Sequence, residues 1–590
     1  MSSHAPISGN MHAILDLLAH NPVSATLSTI AIIFLTSVLL FSSPASHHKP
    51  STDGKASPPS MPAYWLPFLA HGPQFLRKTG FLASLQKQYP EGIFSLKFLG
   101  KTHHVIHEPG LASTLMNRPK TTYEEKWLAA RLLSTSFGLR KQDHATYGKL
   151  AHETPELFKH MLSEPGLGEL VHAMVGQIKR HIHDFVTFNS APADQMDWER
   201  FSDVDVLQNS KGETVVEADL MSLTRNFVAA TANPALMGTN FVENFPEFWE
   251  LLWKFDDGMV LLAANVPAWI PWPRLQRAKA ARARMLARTL EFEVAMDKYF
   301  QGEDPGIQWQ DLHNVSTYVK SRVELFRNRG LSLEARATCD VALSWAMNAN
   351  ANPLIFWLIY ELCRDPVLLE IVREEIAPFV KVVQPAHDFG PAVWVPPEVE
   401  SLDVDGLINH CPHLKAAYFE TLRVYTGVWT VKWLTEDVTL KRRGSNADAF
   451  LLQKGNMAHV VHELHQFDAD YFPNPKEWHH DRFLKEIDDG HGRKLQTVDM
   501  GTLRPYGGGP SMCKGRAFAM RELLLYSSFI ISFYDISPPR GQAWEEPATC
   551  KRAASRYPVK PVKVWIKKRV FDTNSKSKSD SKAENAENAD

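Results

Sequence analysis

Between Arg504 and Phe533 a glycine-rich turn, a single sulfur and a long apolar helix follow one another directly, and few folds accommodate all three. The run opens as RPYGGGPSMCKGRAFAMRE, from Arg504 to Glu522. Three successive glycines, Gly507 to Gly509, allow tight turns and close approach of the backbone to a flat partner. Beyond Cys513, the stretch AFAMRELLLYSSFIISFY is rich in helix formers and carries a long apolar face. The cysteine thus stands just ahead of a helix N-terminus, where unpaired N–H groups and the helix dipole favour a thiolate. Gly515, two residues on, keeps that approach open. Read alone, the loop also suits a structural or redox-active thiol.

The other four cysteines, Cys339, Cys363, Cys411 and Cys550, form no CxxC pair and no zinc-ligand spacing. A sparse, odd set in so long a chain argues against a disulfide framework and for a reducing compartment. Formal charge is −2, from 64 basic and 66 acidic residues, so no global field would gather nucleic acid and no nucleic-acid partner is expected. At 590 residues the chain has room for several domains, although a large enzyme can keep one continuous core.

After a short N-terminal segment, 1–22, residues 23–42 read VSATLSTIAIIFLTSVLLFS without a charge. At about 1.5 Å per residue, such a helix just crosses a hydrocarbon layer roughly 30 Å thick. No Lys or Arg precedes it, so the positive region of a cleaved signal peptide is missing. Lys49 and Lys55 follow it and place the downstream side in the cytosol. The expectation is a single retained transmembrane helix. Residues 43–60 are rich in Ser, Pro and His and read as a linker setting a standoff from the membrane. The catalytic body is expected over 61–570. Residues 571–590 are almost free of apolar side chains and read as a disordered tail.

Helical patterns dominate the body, with small β regions between them. From Leu333 to Cys363 a long apolar register is interrupted by Pro353, which predicts a kink, and Pro366 marks the next break. Residues 411–426 predict a further helix, on which Glu420 and Arg423 are three apart and share a face. Such a pair is ordinarily a solvated contact worth a few tenths of a kcal/mol. Trp429–Trp433 and Met457–Val461 read as strands.

The run YGGGPSMCKGRAFA, Tyr506 to Ala519, resembles the haem-binding signature of the cytochrome P450 superfamily, with Tyr506 where Phe is usual. Upstream, ETLR (Glu420 to Arg423) resembles the family's ExxR pair, and PKEWHHDRF (Pro475 to Phe483) the meander that supplies a second arginine. The order and spacing of the three motifs make the resemblance specific. It implies a mainly α fold with small β regions, and haem b (iron protoporphyrin IX) held by an axial Cys513 thiolate. It also implies a buried network of Glu420, Arg423 and Arg482 behind the haem. A thiolate ligand pushes electron density towards iron-bound dioxygen and favours O–O cleavage. Gly509, Gly515, Tyr506 and Arg504 are the further cofactor-binding candidates. Ser511 stands where the family usually has Arg or His, and no clear WxxxR motif occurs around residues 145–165, so the propionate contacts depart from the pattern.

The segment WAMNANANP, Trp345 to Pro353, falls where the family's oxygen-activation helix passes over the haem. Most members have an acid followed by Thr there; this chain has Asn350 and Ala351. Asn can orient water but does not titrate near pH 7, and Ala neither donates nor accepts. This pattern and HQFDADYF, His465 to Phe472, resemble the branch of steroid 7α- and 12α-hydroxylases and prostacyclin synthase, shared by many fungal enzymes of secondary metabolism. Asn348, Val428, Trp429 and Thr430 are the substrate-pocket candidates, with Trp429 as plain core packing the alternative. The resemblance implies a monooxygenase that inserts one atom of dioxygen into a lipophilic steroid, terpenoid, polyketide or alkaloid. A separate NADPH–cytochrome P450 reductase would supply electrons, with cytochrome b5 as a further candidate partner. The expected place is the endoplasmic reticulum membrane, single-pass, with the catalytic domain cytosolic. The alternative is an isomerase or dehydratase that rearranges an oxygenated or peroxide substrate without a reductase.

Overall fold

β1 (Ile93–Phe98) and β2 (Lys101–Ile106) pair antiparallel around Leu99 and Gly100, both at positive φ, the two-residue turn that matches strand twist. β3 (Tyr123–Glu124), β4 (Trp429–Leu434) and β5 (Met457–Val461) complete a sheet in the order β1-β2-β5-β4-β3. β5 runs parallel to β2; the other pairings are antiparallel. Both sequence-predicted strands therefore lie in this sheet. With helices α1 (Gly72–Arg77), α2 (Phe81–Gln88) and α3 (Pro109–Met116) it forms one unit, made of residues up to 125, 429–465 and 508–511. In this computed structural model the described residues are 26–571 except 28, 34, 37–42, 49–55, 65, 67, 68, 79, 125, 151, 386–394, 443–448, 489–491 and 493.

The second unit holds residues 126–428, 466–507 and those from 512 onward. Its main helices are α4 (Leu220–Ala232), α5 (Phe248–Ala263), α6 (Pro273–Gln301), α7 (Thr317–Asn328), α8 (Leu333–Asn348), α9 (Ala351–Arg364), α10 (Pro412–Tyr425) and α11 (Arg516–Phe533). Every residue of α9 from Ala351 to Cys363 is buried, as is every residue of α11 from Glu522 to Phe533. Helices buried all round belong to the centre of a large core. A hairpin of β6 (Thr549–Arg552) and β7 (Ser555–Pro558) follows α11. The architecture is mainly α with small β regions.

The helix kink expected at Pro353 lies slightly upstream, between α8 and α9 at Ala349–Asn350. Proline has no N–H to give the carbonyl four residues back, which is Ala349, and it is tolerated in a helix's first turn. The chain therefore stops one helix at Asn348 and restarts at Ala351.

The expected membrane anchor is overturned. Among the described residues no helix is long and apolar enough to cross a membrane. Residues 23–25, 28, 34 and 37–42 of the anchor stretch lie outside the described residues. With the span go the single-pass topology, the endoplasmic reticulum placement and the membrane as a partner. Within the expected linker, Ser43 bridges Tyr64, Ser46 bridges Met61 and Ser57 bridges Phe450. The tail from 572 onward lies outside the described residues.

Candidate active site

Cys513 differs from the other core cysteines in what surrounds its sulfur. Cys339, Cys363 and Cys411 are buried, and burial pushes each thiol up to about 12, which leaves them inert. Cys513 is exposed, although protein crowds it closely enough for burial to raise its thiol. Its side chain is therefore accessible where theirs are not. Opposing that shift, the backbone N–H groups of Gly515 and Arg516 donate to it, and the Arg516 and Lys514 charges lie nearby. The N–H donors come from the start of α11, as the sequence predicts. In the protein alone burial wins; a metal cation at the sulfur would deprotonate it outright.

The rest of the turn is held from both ends. Cys513 N–H donates to the Tyr506 carbonyl at 3.0 Å, and the Tyr506 and Tyr418 hydroxyls meet at 2.6 Å. Arg504 gives Nη1 to the Gly501 and Leu503 carbonyls at 2.6 and 2.8 Å. Gly509 has φ +63°, and a Cβ there would lie 2.0 Å from the Met116 carbonyl oxygen, so only glycine fits. A Cβ on Gly515 would meet Met161 Cε at an ordinary 3.9 Å.

The structure brings Glu420, Arg423 and Arg482 together. Arg423 forks onto Glu420, Nε to Oε2 at 2.8 Å and Nη2 to Oε1 at 2.7 Å, with both side chains fully buried. Arg482 Nε and the His479 N–H share Oε1 at 3.1 and 3.0 Å. The remaining Arg423 donors go to the carbonyls of Gln466, Pro475 and Glu477. The i,i+3 pair is thus no solvated contact. It is a buried carboxylate with every charge answered, tying α10 to the segment 466–482.

On α8, Ala346 is exposed and Ala342, Leu343, Met347 and the following Asn350 are half-buried, whereas most of the helix is covered. Their spacing makes one open, largely apolar stripe. Asn350 Oδ1 accepts the Ala554 N–H at 3.2 Å, and Ala351 is buried. Asn348 faces the other way. Its amide pairs with that of Asn233 in two bonds of 3.0 Å and also takes Ser344 O and Asn352 Nδ2, so all its hydrogen-bonding positions are used.

Against known proteins, the Cytochrome P450 family model matches residues 204–560. That match covers well over half the chain. This chain belongs to the cytochrome P450 family.

The chain is similar to a cytochrome P450 monooxygenase of Gibberella zeae, 25% identical over 561 residues, covering 92% of each protein. It is also similar to the 25-hydroxycholesterol 7-alpha-hydroxylase of Rattus norvegicus, 24% identical over 322 residues, covering 53% of this chain and 69% of the relative. Among solved structures, retinoic acid bound cyanobacterial CYP120A1 superposes with a TM-score of 0.56 at 17% identity, over 87% of this chain and all of that one, a likeness of fold. Fungal monooxygenases and steroid hydroxylases both stand among its relatives, and no single branch is marked out. The protein is an oxidoreductase of the P450 fold acting on a lipophilic small molecule.

Cytochrome P450 membership implies haem b, a cysteine thiolate ligand and electrons from NADPH. The residues fit that group: an exposed sulfur with two N–H donors and an open apolar helix stripe are the donor and the apolar wall it needs.

Of the substrate-pocket candidates in the P450 chain, Val428 is half-buried in the second unit. In the first unit, Trp429 is exposed and its ring approaches Phe75 and His459, while Thr430 Oγ1 meets His462 Nε2 at 3.1 Å. Sequence reading missed Glu522. It is buried on α11, its Oε2 has no hydrogen-bond partner, and burial pushes its carboxyl up to about 8. A charged residue inside an otherwise apolar run was the available signal.

Proposed function

We propose that Cys513 is the axial ligand of haem b and that the protein is a monooxygenase. It inserts one oxygen atom from dioxygen into a lipophilic substrate of steroid, terpenoid, polyketide or alkaloid type, in secondary metabolism. The observation that carries this reading is the exposed Cys513, whose sulfur is met by the Gly515 and Arg516 N–H groups. When bound, a thiolate-ligated haem supplies the dioxygen-cleaving chemistry. The chain's own residues do the rest. The N–H groups orient the sulfur, and Gly509 lets the turn close against Met116. Glu420, Arg423 and Arg482 lock α10 behind it. The stripe of Leu343, Ala346 and Met347 excludes water, and Asn350 stands at the helix break. Val428, Trp429 and Thr430 are our candidates for substrate contact. A separate NADPH–cytochrome P450 reductase, with cytochrome b5 as a second donor, supplies electrons. The likeness to fungal monooxygenases and steroid hydroxylases supports such a substrate.

Ala351 favours one second reading. A buried methyl where a hydroxyl would serve proton transfer suits an isomerase or dehydratase that needs no reductase.

The test is incubation of the haem-loaded protein with reductase, NADPH and a metabolite extract, followed by identification of the compound consumed. Consumption that requires NADPH supports monooxygenation. Rapid loss of a hydroperoxide or endoperoxide without NADPH supports the second reading. Cys513→Ser abolishes the red-shifted Soret band of the reduced carbon monoxide complex together with turnover. A wild-type protein loaded with haem but lacking that band defeats both readings.

A further inference from the structure

Pro353 leaves the Ala349 carbonyl without its helical partner. The hairpin replaces it. Tyr557 Oη donates to that carbonyl at 2.7 Å and Ser555 Oγ at 3.3 Å, both from β7. Ala554, just ahead of β7, gives its N–H to Asn350 Oδ1. One strand end thus grips both residues of the helix break, the same break that borders the open stripe of α8.

The Tyr557 hydroxyl also feels the negative charge of Asp256, on α5. That carboxyl accepts Trp345 Nε1 at 2.8 Å, from α8. A phenol carries one proton. That proton goes to Ala349, and the buried Asp256 carboxyl stands beside the hydroxyl. Other charges face it from α4 and β6, Arg225 and Arg552. The neighbouring Asp257 carboxylate is held by Arg274 at 3.1 Å and Arg552 at 3.0 Å. Asp256 is 3% exposed, and burial raises its carboxyl although Trp345, Arg552, Tyr557 and Arg225 oppose the shift.

We propose that Tyr557 is a positioning residue for the oxygenation: its hydroxyl, with Ser555 and Ala554 beside it, fixes the helix break at Ala349–Asn350. This rests on the monooxygenase reading above. In a coupled turnover dioxygen, NADPH, one proton and substrate give hydroxylated product, water and NADP+. When the oxygen side is misplaced, dioxygen, NADPH and the proton give hydrogen peroxide and NADP+ instead. The partition between product and peroxide therefore reports the break, while thermal unfolding reports the clamp without any turnover.

The experiment is a double-mutant cycle in the full-length, haem-loaded protein. Tyr557→Phe removes the hydroxyl, and Pro353→Ala restores an N–H for Ala349. Expected for Tyr557→Phe alone are a Tm lower by about 2–4 °C and a product-to-peroxide ratio lower by about fivefold. In the Pro353→Ala background both losses shrink to a fraction. Equal Tyr557→Phe effects in the two backgrounds overturn the proposal. A missing thiolate–carbonyl band in the wild type sinks the function reading instead, and the Tm cycle still decides whether the clamp exists.

Discussion

The surroundings of the sulfur and the surroundings of the helix break are built in opposite ways. Around Cys513, the turn from Tyr506 and the N–H donors of Gly515 and Arg516 come from one continuous run, and Glu420, Arg423 and Arg482 come from two short motifs. Around Ala349 and Asn350, the partners are Ala554, Ser555 and Tyr557, drawn from about two hundred residues away. In the first arrangement most of the polar partners are supplied by short motifs. The second depends on long-range closure, and its side chains cannot satisfy one another until distant elements meet.

Substitutions can break that contrast. The largest effect belongs to Arg423→Ala, which strands a fully buried Glu420 carboxylate and should cost about 3–5 kcal/mol in denaturant unfolding. Arg423→Lys should rescue little, because a lysine cannot fork. An Ala variant as stable as wild type would show the network to be ornamental. Next comes Gly509→Ala, at about 2 kcal/mol or more, because both the positive φ and the Met116 carbonyl forbid a Cβ. Gly501 is the control: it also has positive φ but nothing within 4 Å, so Gly501→Ala should cost about 1 kcal/mol. Equal melting of the two would refute the close approach.

Asn348→Ala strands the Asn233 amide between α4 and α8 and should cost about 1–3 kcal/mol by thermal melting. Asn350→Ala loses one bond from a half-buried side chain and should cost about 1 kcal/mol or less. If Asn350 instead proved the costlier, the break would be held mainly by its side chain and not by the Ala349 carbonyl.

Glu522 sharpens the sulfur side through pH. Its carboxyl is raised from 4.5 to about 8 by burial, so folding takes up a proton there. The stability this confers is complete below about 4.5 and is lost as pH rises towards 8. Glu522→Gln should remove that decline, and unfolding curves of the two proteins should diverge across this window and run parallel above it. Parallel curves throughout would mean the acid is ionised in the fold.

The ease of reading each region follows from the same physics. Cys513 stood out because glycine turn, sulfur and helix start are contiguous, and α11 begins at Arg516 as the apolar run predicts. The strands at 429–434 and 457–461 and the helix at 412–425 were legible from periodicity and composition. Burial was not. An i,i+3 Glu–Arg pair looks the same in solvent as in a core, and only tertiary packing makes Glu420 and Arg423 a buried pair. Pro353 announced a break, but its partner Tyr557 carries no local mark. The anchor failed because an uncharged stretch reports hydropathy, whereas crossing a bilayer also requires a continuous helix, and the described residues offer none of that length.

The hairpin that caps Ala349 lies 208 positions further along the chain. During synthesis, which proceeds from the N-terminus, α8 and α9 emerge long before it, and so does the Cys513 turn. The Ala349 carbonyl must wait uncovered until Ser555 and Tyr557 have left the ribosome. The sulfur's immediate surroundings can therefore be assembled before the oxygen side closes.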